Sequence, residues 1–139
     1  MTLAVDTSAA VALVMRSHVA HRAVRGRLRG LDLVLTQHSL AETFSVLTRL
    51  PGDARVAPLD AVRLIDANFG PPALMPAATA ADVHRLLADR NIVGGAVYDG
   101  LVGLAAKANN LSLATRDLRA AATYDALGVE VVAILDDIH

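Results

Sequence analysis

Four acidic residues lie within or at the end of apolar segments of this sequence. Asp6 closes "LAVD", Glu42 comes shortly after "LDLVLT", Asp99 interrupts the apolar segment 93–110, and Asp117 follows "LSLAT". A carboxylate buried alone costs several kcal/mol, so each must be solvated, paired or bound to a cation. The chain has no cysteine and no suitable histidine pair, and hard oxygen ligands favour Mg²⁺ or Mn²⁺. A divalent cation site is therefore one explanation for the acids.

The segments that carry these acids read as strands alternating with helices. Short runs rich in β-branched or leucine side chains predict strands at 3–6, 31–36, 111–115 and 129–135. Helices are predicted at 7–15 and 79–91, each opening on a hydroxyl cap, and at 17–30, 39–50, 58–69, 96–109 and 118–128. This alternation implies right-handed crossovers and a mainly parallel sheet covered on both faces. Ligands bind outside the carboxyl ends of such strands, so the four carboxylates are expected to converge on one edge, with Glu42 in the first turn of its helix.

The predicted helix at 96–109 has a pattern of its own. Asp99 is expected to point away from an apolar stripe, with the small residues Gly103 and Ala106 one and two turns beyond it. Those small neighbours predict room for another group beside the carboxylate. Gly100 and Gly103 each cost about 1 kcal/mol in a helix interior relative to Ala, which indicates close packing or close approach of a substrate. The stripe consists of Val97, Leu101, Leu104 and Ala108.

Helix capping offers a second explanation for each acid. Asp6 and Asp117 could cap helices, "SLAE" at 39–42 fits a capping box in which Glu42 reaches back to its serine, and Asp99 could interact with a helix dipole. Taken singly, each acid fits a cap as well as a ligand. A cluster of like charges at one sheet edge, however, is unfavourable unless a divalent cation compensates it.

Length and composition exclude several other classes of protein. The 139 residues fit a single domain, 1–139, with an aliphatic core. With 3% aromatic residues and a net charge of −1, base-stacking platforms and a broad electrostatic footprint for nucleic acid are poorly supported. No uncharged stretch reaches the roughly 18 residues of a membrane span, and no leader is evident, so a complete cytoplasmic protein is expected.

The order of these motifs resembles that of a known family. "VDTSA", "SLAETFSVLTRL", "VGGAVYDGLVGLAAKANN" and "LATRD" together resemble a PIN-domain ribonuclease of the VapC toxin type over essentially the whole chain. The resemblance implies a three-layer α/β/α, Rossmann-like PIN fold and a divalent-metal endoribonuclease of a type II toxin–antitoxin system, blocked by a cognate small antitoxin. Asp6 and Asp99 would be the principal metal ligands, and Glu42 and Asp117 would support the metal or its waters.

Further roles are expected around the acids. Thr7, Ser8 and Thr115 could supply hydroxyls behind the metal ligands or could cap helices, and Arg49 and Arg116 are placed for contact with RNA phosphates. The run Arg22, Arg25, Arg27 and Arg29 is read as a solvated face, with RNA steering as the alternative. The predicted helical hairpin 39–69 suggests a homodimer and an antitoxin contact, although it could equally be internal core. A transfer or ribosomal RNA is the expected substrate.

Two other functions remain open from the sequence. One is a phosphatase or phosphotransfer domain with Asp6 as nucleophile, although "VDTSA" lacks the second Asp two residues on that haloacid-dehalogenase-type phosphatases show. The other is a non-catalytic interaction module whose acids are caps. A trapped phospho-Asp6 would support the first, and metal binding without RNA cleavage, or no metal binding at all, would support the second.

Overall fold

A parallel sheet lies at the centre of the computed structural model, which describes residues 1–135. The strands are β1 (Thr2–Val5), β2 (Asp32–Leu35), β3 (Leu113–Thr115) and β4 (Val131–Ala133). The helices are α1 (Thr7–Val14), α2 (His21–Arg27), α3 (Gln37–Thr48), α4 (Pro58–Asn68), α5 (Ala77–Ala81), α6 (Val83–Asp89), α7 (Ala96–Ala108) and α8 (Leu118–Ala126), and a short 3₁₀ helix spans Gly52–Ala54. The predicted α/β architecture with a parallel sheet is confirmed. The prediction of one domain over 1–139 stays a prediction.

Strand order explains where the acids meet. The order is β2-β1-β3-β4 with every pairing parallel, and Val5 at the end of β1 is opposite Leu35 of β2 and Ala114 of β3. After β2 the chain returns to the other side of β1, so the strand order reverses between β1 and β3. Crevices outside the carboxyl ends at such a switch point are where ligands bind in open α/β sheets. Asp6 follows β1 directly at this point.

The two faces of the sheet bury different helices. Alternate residues of a strand point to opposite faces, so Leu3 and Val5 pack into the cluster that contains α1 and parts of α2, α3 and α4, while Ala4 packs against α7 and α8. Three layers result, as the sequence predicts. Within residues 1–135 no helix is both long and apolar enough to cross a membrane.

The starts of two helices differ from the sequence predictions. Asp6 itself, and not a hydroxyl, caps α1, because its carboxylate accepts from the Ala9 N–H. Helix α3 begins at Gln37, so the predicted capping box between Ser39 and Glu42 is wrong. Thr36 is the N-cap, and it exchanges hydrogen bonds with Ser39, whose hydroxyl also donates to the Val5 carbonyl at 3.2 Å. Glu42 consequently lies in the second turn and not in the first.

Two other helices are shorter than predicted. The helix predicted at 17–30 is reduced to α2, because residues 15–21 form successive turns closed by backbone bonds from His18 to Met15 and from His21 to His18. The helix predicted at 79–91 is two helices, α5 and α6, that meet at Asp82. The Asp82 amide bonds back to Thr79, three residues earlier, which ends α5, so Thr79 lies inside a helix and caps nothing.

Candidate active site

Asp6 is a buried carboxylate whose oxygens are held by three donors. Its exposed fraction is 4%. Oδ1 accepts from the Ser8 hydroxyl at 2.6 Å and from the Ala9 N–H at 3.2 Å, and Oδ2 accepts from the Tyr124 hydroxyl at 2.9 Å. Burial raises the pKa of Asp6 above its ordinary value, and the hydrogen bonds oppose that rise without cancelling it. The carboxylate is thus fixed in direction and costly to keep ionised.

Hydroxyl groups connect Asp6 to the end of β3. The Ser8 oxygen that donates to Asp6 accepts from the Arg116 N–H at 2.8 Å and lies 3.3 Å from the Thr115 hydroxyl. Thr115 in turn accepts from the Asp117 N–H at 3.0 Å, and burial of Thr115 is complete. Asp117 caps α8, because its Oδ1 accepts from the Arg119 N–H at 2.9 Å and from the Ala120 N–H at 3.3 Å. The carboxyl ends of β1 and β3 are therefore joined by side-chain hydrogen bonds.

Asp99 and Glu42 reach the same region from different helices. Asp99 is half-buried in the first turn of α7, as predicted, and Glu42 is half-buried on α3. Burial raises the pKa of Asp99 most, and neighbouring negative charges raise it further. In decreasing order these charges are Asp117, Asp6 and Glu42. Asp99 therefore lies within electrostatic reach of the other three predicted acids, and we call these four acids the negative field.

A histidine and a tyrosine that the sequence analysis did not single out border this field. His38 lies on α3 one turn before Glu42, with its Nε2 3.6 Å from the Glu42 carboxylate, and its ring stacks on Tyr98 at a centroid distance of 5.6 Å. His38 lowers the pKa of Asp99. The spacing of four residues between His38 and Glu42 is a helical neighbour signal that the sequence does carry. The stack could not be read from the sequence, because its two rings come from different helices.

Tyr124 is a third residue that the sequence analysis did not single out. It is 1% exposed on α8, and its hydroxyl reaches Asp6 across 118 positions of sequence. Burial and the adjacent negative charge of Asp6 raise the pKa of Tyr124 far above its usual range, so the hydroxyl remains a donor at any physiological pH. No local motif marks this residue; a buried tyrosine merely requires a partner for its hydroxyl.

The expected room beside Asp99 is filled. A Cβ added to Gly103 would come within 2.8 Å of the Leu127 side chain and 3.3 Å of the Tyr124 ring, so Gly103 is needed for close packing of α7 on α8. Gly100 similarly allows Leu87 to approach. The predicted stripe is also wrong in part: Ala108 is exposed, whereas Gly103 and Ala106 are buried. Helix α7 is enclosed on most sides, so a single apolar face does not describe it.

The remaining predicted residues are placed as follows. The Thr7 hydroxyl is buried and makes no hydrogen bond within residues 1–135, whereas Ser8 and Thr115 belong to the network behind Asp6. Arg116 is half-buried next to Asp117, and Arg49 is exposed at the end of α3, seven residues beyond Glu42. The arginines at 22, 25, 27 and 29 are exposed. Contact of any of these arginines with RNA stays a prediction.

The donor chemistry of the site fits a hard divalent cation. Oxygen is the ligand type that the four carboxylates offer, and an uncompensated group of such charges is unfavourable. In the part of the chain that the structure describes, no three acidic or histidine side chains are close enough together to form a ready-made cage. Mg²⁺ seldom needs one, since it keeps several waters and is held by one or two carboxylates. The residues therefore suit an ion bound by few direct ligands.

Comparison with known proteins agrees with this fold. A model of the PIN domain matches residues 3–126. The chain is 52% identical over 130 residues to Ribonuclease VapC27 of Mycobacterium tuberculosis (strain ATCC 25618 / H37Rv), covering 94% of this chain and 95% of that protein. It is 43% identical over 131 residues to Ribonuclease VapC40 of the same strain, covering 93% and 96%.

Solved structures share the fold at much lower identity. A chain in the structure of FitAB bound to the IR36 DNA fragment aligns with a TM-score of 0.67 at 20% identity over all of both chains. Mycobacterium tuberculosis VapC20, described as a Sarcin-Ricin loop cleaving toxin, aligns with a TM-score of 0.66 at 18% identity, covering 86% of this chain and 93% of that one. The chain belongs to the PIN-domain family, and the resemblance seen in its motifs is confirmed.

Proposed function

We propose that this chain is the toxin of a toxin–antitoxin pair and cuts RNA with a divalent cation, Mg²⁺ or Mn²⁺, held by Asp6 and Asp99. Its enzyme class is that of the ribonucleases to which it is 52% and 43% identical over almost its full length. Ribonucleases of the PIN family depend on divalent metals in general. The identity of the ion, the ligand residues and the RNA are the proposed parts.

One observation carries the assignment of the site. At the switch point between β1 and β3, the buried carboxylate of Asp6 lies in one negative field with Asp99, Asp117 and Glu42. Four acids drawn from four separate segments into such a field cost stability unless a cation is bound. Capping explains Asp6 and Asp117, which do cap helices, and the first turn of α7 suits Asp99, but neither explains Glu42 in the second turn of α3.

Each acid has a separable task in this proposal. A divalent cation bound here would supply the chemistry, by acidifying a water molecule and stabilising charge on the phosphoryl oxygens. Asp6, fixed by its three donors, and Asp99, at the start of α7, would hold that cation. Glu42 and Asp117 would support the cation or its waters, and the hydroxyls of Ser8 and Thr115 would keep the carboxyl ends of β1 and β3 in register. Without the cation, the four carboxylates would repel the RNA backbone.

The expected partners follow from the same assignment. A small antitoxin would cover the acids, and a second copy of the chain would give the homodimer. The inner side of the α3–α4 hairpin is core, since Leu47, Ala61 and Ile65 are buried, while Leu59 and Val62 on α4 are exposed. Multi-angle light scattering of the purified chain tests the dimer, and co-purification after expression of the native locus tests the antitoxin. A monomer at micromolar concentration and no co-purified small protein would contradict these two expectations.

RNA end-mapping tests the proposed activity directly. The purified chain is incubated with total RNA in Mg²⁺, in Mn²⁺ and in EDTA, and the Asp99→Asn variant, purified identically, controls for contaminating nucleases. The expected result is a small number of new 5′ ends in a transfer or ribosomal RNA, dependent on the cation and absent with the variant. Absence of new ends with either ion, or the same ends from the variant, would refute the proposal.

A further inference from the structure

The carboxylate of Asp6 is asymmetrically occupied by its neighbours. An ionised carboxylate offers about four acceptor positions on two oxygens. Oδ1 accepts from the Ser8 hydroxyl and from the Ala9 N–H, whereas Oδ2 accepts from the Tyr124 hydroxyl at 2.9 Å. Oδ1 is committed to the start of α1, so Oδ2 is the less crowded oxygen. The group that donates to Oδ2 therefore determines how Asp6 can bind a cation.

Close packing of α7 on α8 positions the Tyr124 hydroxyl against this oxygen. Gly103 on α7 has no side chain where the Tyr124 ring passes, and a Cβ there would lie 3.3 Å from the Tyr124 Cδ1. The ring is 1% exposed in the cluster that includes Leu127 and Val129. A side chain packed this tightly has little freedom to rotate, so its hydroxyl holds a fixed position relative to Asp6.

We propose that Tyr124 is a positioning residue, which fixes Oδ2 of Asp6 so that this oxygen can bind the catalytic divalent cation through its remaining acceptor position. This inference rests on the proposed function, because it requires a cation at Asp6. Donors behind a metal ligand orient it and typically contribute 10–100-fold in metal affinity or activity. Tyr124 itself contacts neither the cation nor the RNA.

Tyr124→Phe is the variant that tests this role, because it keeps the ring and removes the hydroxyl. Thr48→Val is the matched control: it also removes one hydroxyl from a partly buried side chain, but at the last residue of α3, six residues beyond Glu42, where the Thr48 hydroxyl donates to the Phe44 carbonyl at 2.8 Å. Mn²⁺ affinity is measured by electron paramagnetic resonance and by the Mn²⁺ dependence of the melting temperature. Sucrose is included, since excluded osmolytes strengthen burial and keep a weakened variant folded.

The expected result separates positioning from simple stability. Tyr124→Phe should bind Mn²⁺ about 10–100-fold more weakly and lower kcat, with KM for a cleaved RNA within about twofold of wild type. Thr48→Val should keep the wild-type Mn²⁺ affinity. If Tyr124→Phe loses melting temperature but binds Mn²⁺ as wild type does, the hydroxyl only satisfies a buried carboxylate and the inference is wrong. Tighter Mn²⁺ binding would mean that Tyr124 competes with the cation, which also overturns it.

The wild type decides between failure of this inference and failure of the proposed function. If the wild-type chain binds no Mn²⁺ in the same experiment, the proposed metal site is wrong, whatever the variants do. If the wild type binds Mn²⁺ and the affinity of Tyr124→Phe is unchanged, the metal site stands and the positioning role alone is lost.

Discussion

Substitution of Asp6 by Asn and by Ala separates two roles that this carboxylate combines. Asn keeps one carbonyl oxygen for the α1 cap, and the Tyr124 hydroxyl can turn to accept from the new amide. The buried charge, whose pKa is raised, disappears. Metal-free Asp6→Asn should therefore be as stable as wild type or more stable. Asp6→Ala removes the cap, which costs about 1 kcal/mol, and leaves the Ser8 and Tyr124 hydroxyls without their carboxylate acceptor. A total loss of about 2–4 kcal/mol in the free energy of unfolding is expected.

The cation adds a second difference between these proteins. A ligand at a hundredfold excess over its dissociation constant stabilises the native state by about 2.7 kcal/mol. For a domain of this size a change of 1 kcal/mol corresponds to about 4 °C in melting temperature, so Mn²⁺ should raise the wild-type Tm by about 10 °C. Asp6→Asn should lose most of this rise, because its amide is a neutral and weaker ligand than a carboxylate.

Differential scanning calorimetry with EDTA or with Mn²⁺, beside the RNA cleavage assay, measures both effects. Asp6→Asn is expected to melt at or above the wild-type temperature in EDTA, to show little rise with Mn²⁺ and to lose RNA cleavage. Retention by Asp6→Asn of both wild-type cleavage and the full Mn²⁺-dependent rise would refute the ligand role of Asp6. A loss of stability in EDTA as large as that of Asp6→Ala would instead refute the account of the cap.

Two further predictions concern the charge on α7 and its packing. The pKa values of Asp99 and Asp6 are raised in the folded state, so protonation of either residue favours folding. The stability of the metal-free protein should therefore fall as pH rises from the ordinary pKa of 3.8 through the raised pKa. Asp99→Asn should reduce that fall and stabilise the protein at neutral pH, which urea titrations from pH 4 to 8 measure. An unchanged pH profile in Asp99→Asn would contradict this. Gly103→Ala should destabilise the folded protein, because the added methyl group would overpack against Leu127. Gly26→Ala, whose methyl group meets open space in α2, should instead stabilise the protein by about 0.5–1 kcal/mol. Equal effects of the two substitutions in thermal melts would contradict the packing argument.

The acids could be predicted from the sequence because strand and helix patterns fix where chain segments end. A parallel sheet places the residues after its strands on one edge, so Asp6 and Asp117 follow from β1 and β3 alone. Asp99 is a charge within an apolar segment, and that contrast is visible without any tertiary information. All three lie where the pattern indicates. Their identity as metal ligands, like that of Glu42, remains a prediction.

The errors arose where one sequence pattern has two local solutions. Ser39 and Glu42 match a capping box, but so do Thr36 and Ser39, and the second pair prevails because Ser39 also bonds to the Val5 carbonyl of β1. That bond spans 34 positions of sequence, so no local rule could include it. A one-faced apolar stripe likewise failed for α7, because that helix is packed by neighbours on several sides.

Tyr124 shows why the detailed geometry of the site escapes a reading of the sequence. Its ring passes Gly103 on a different helix, and its hydroxyl meets an oxygen 118 positions away, so the contact exists only once α7 and α8 have packed on the sheet. Seen alone, Asp6 presented a choice between a helix cap and a metal ligand. The structure shows the cap, in which Oδ1 accepts from the Ala9 N–H, and it shows that Oδ2 accepts from Tyr124; the ligand role stays a proposal. A carboxylate divided in this way can keep the first turn of α1 intact whether or not a cation is bound.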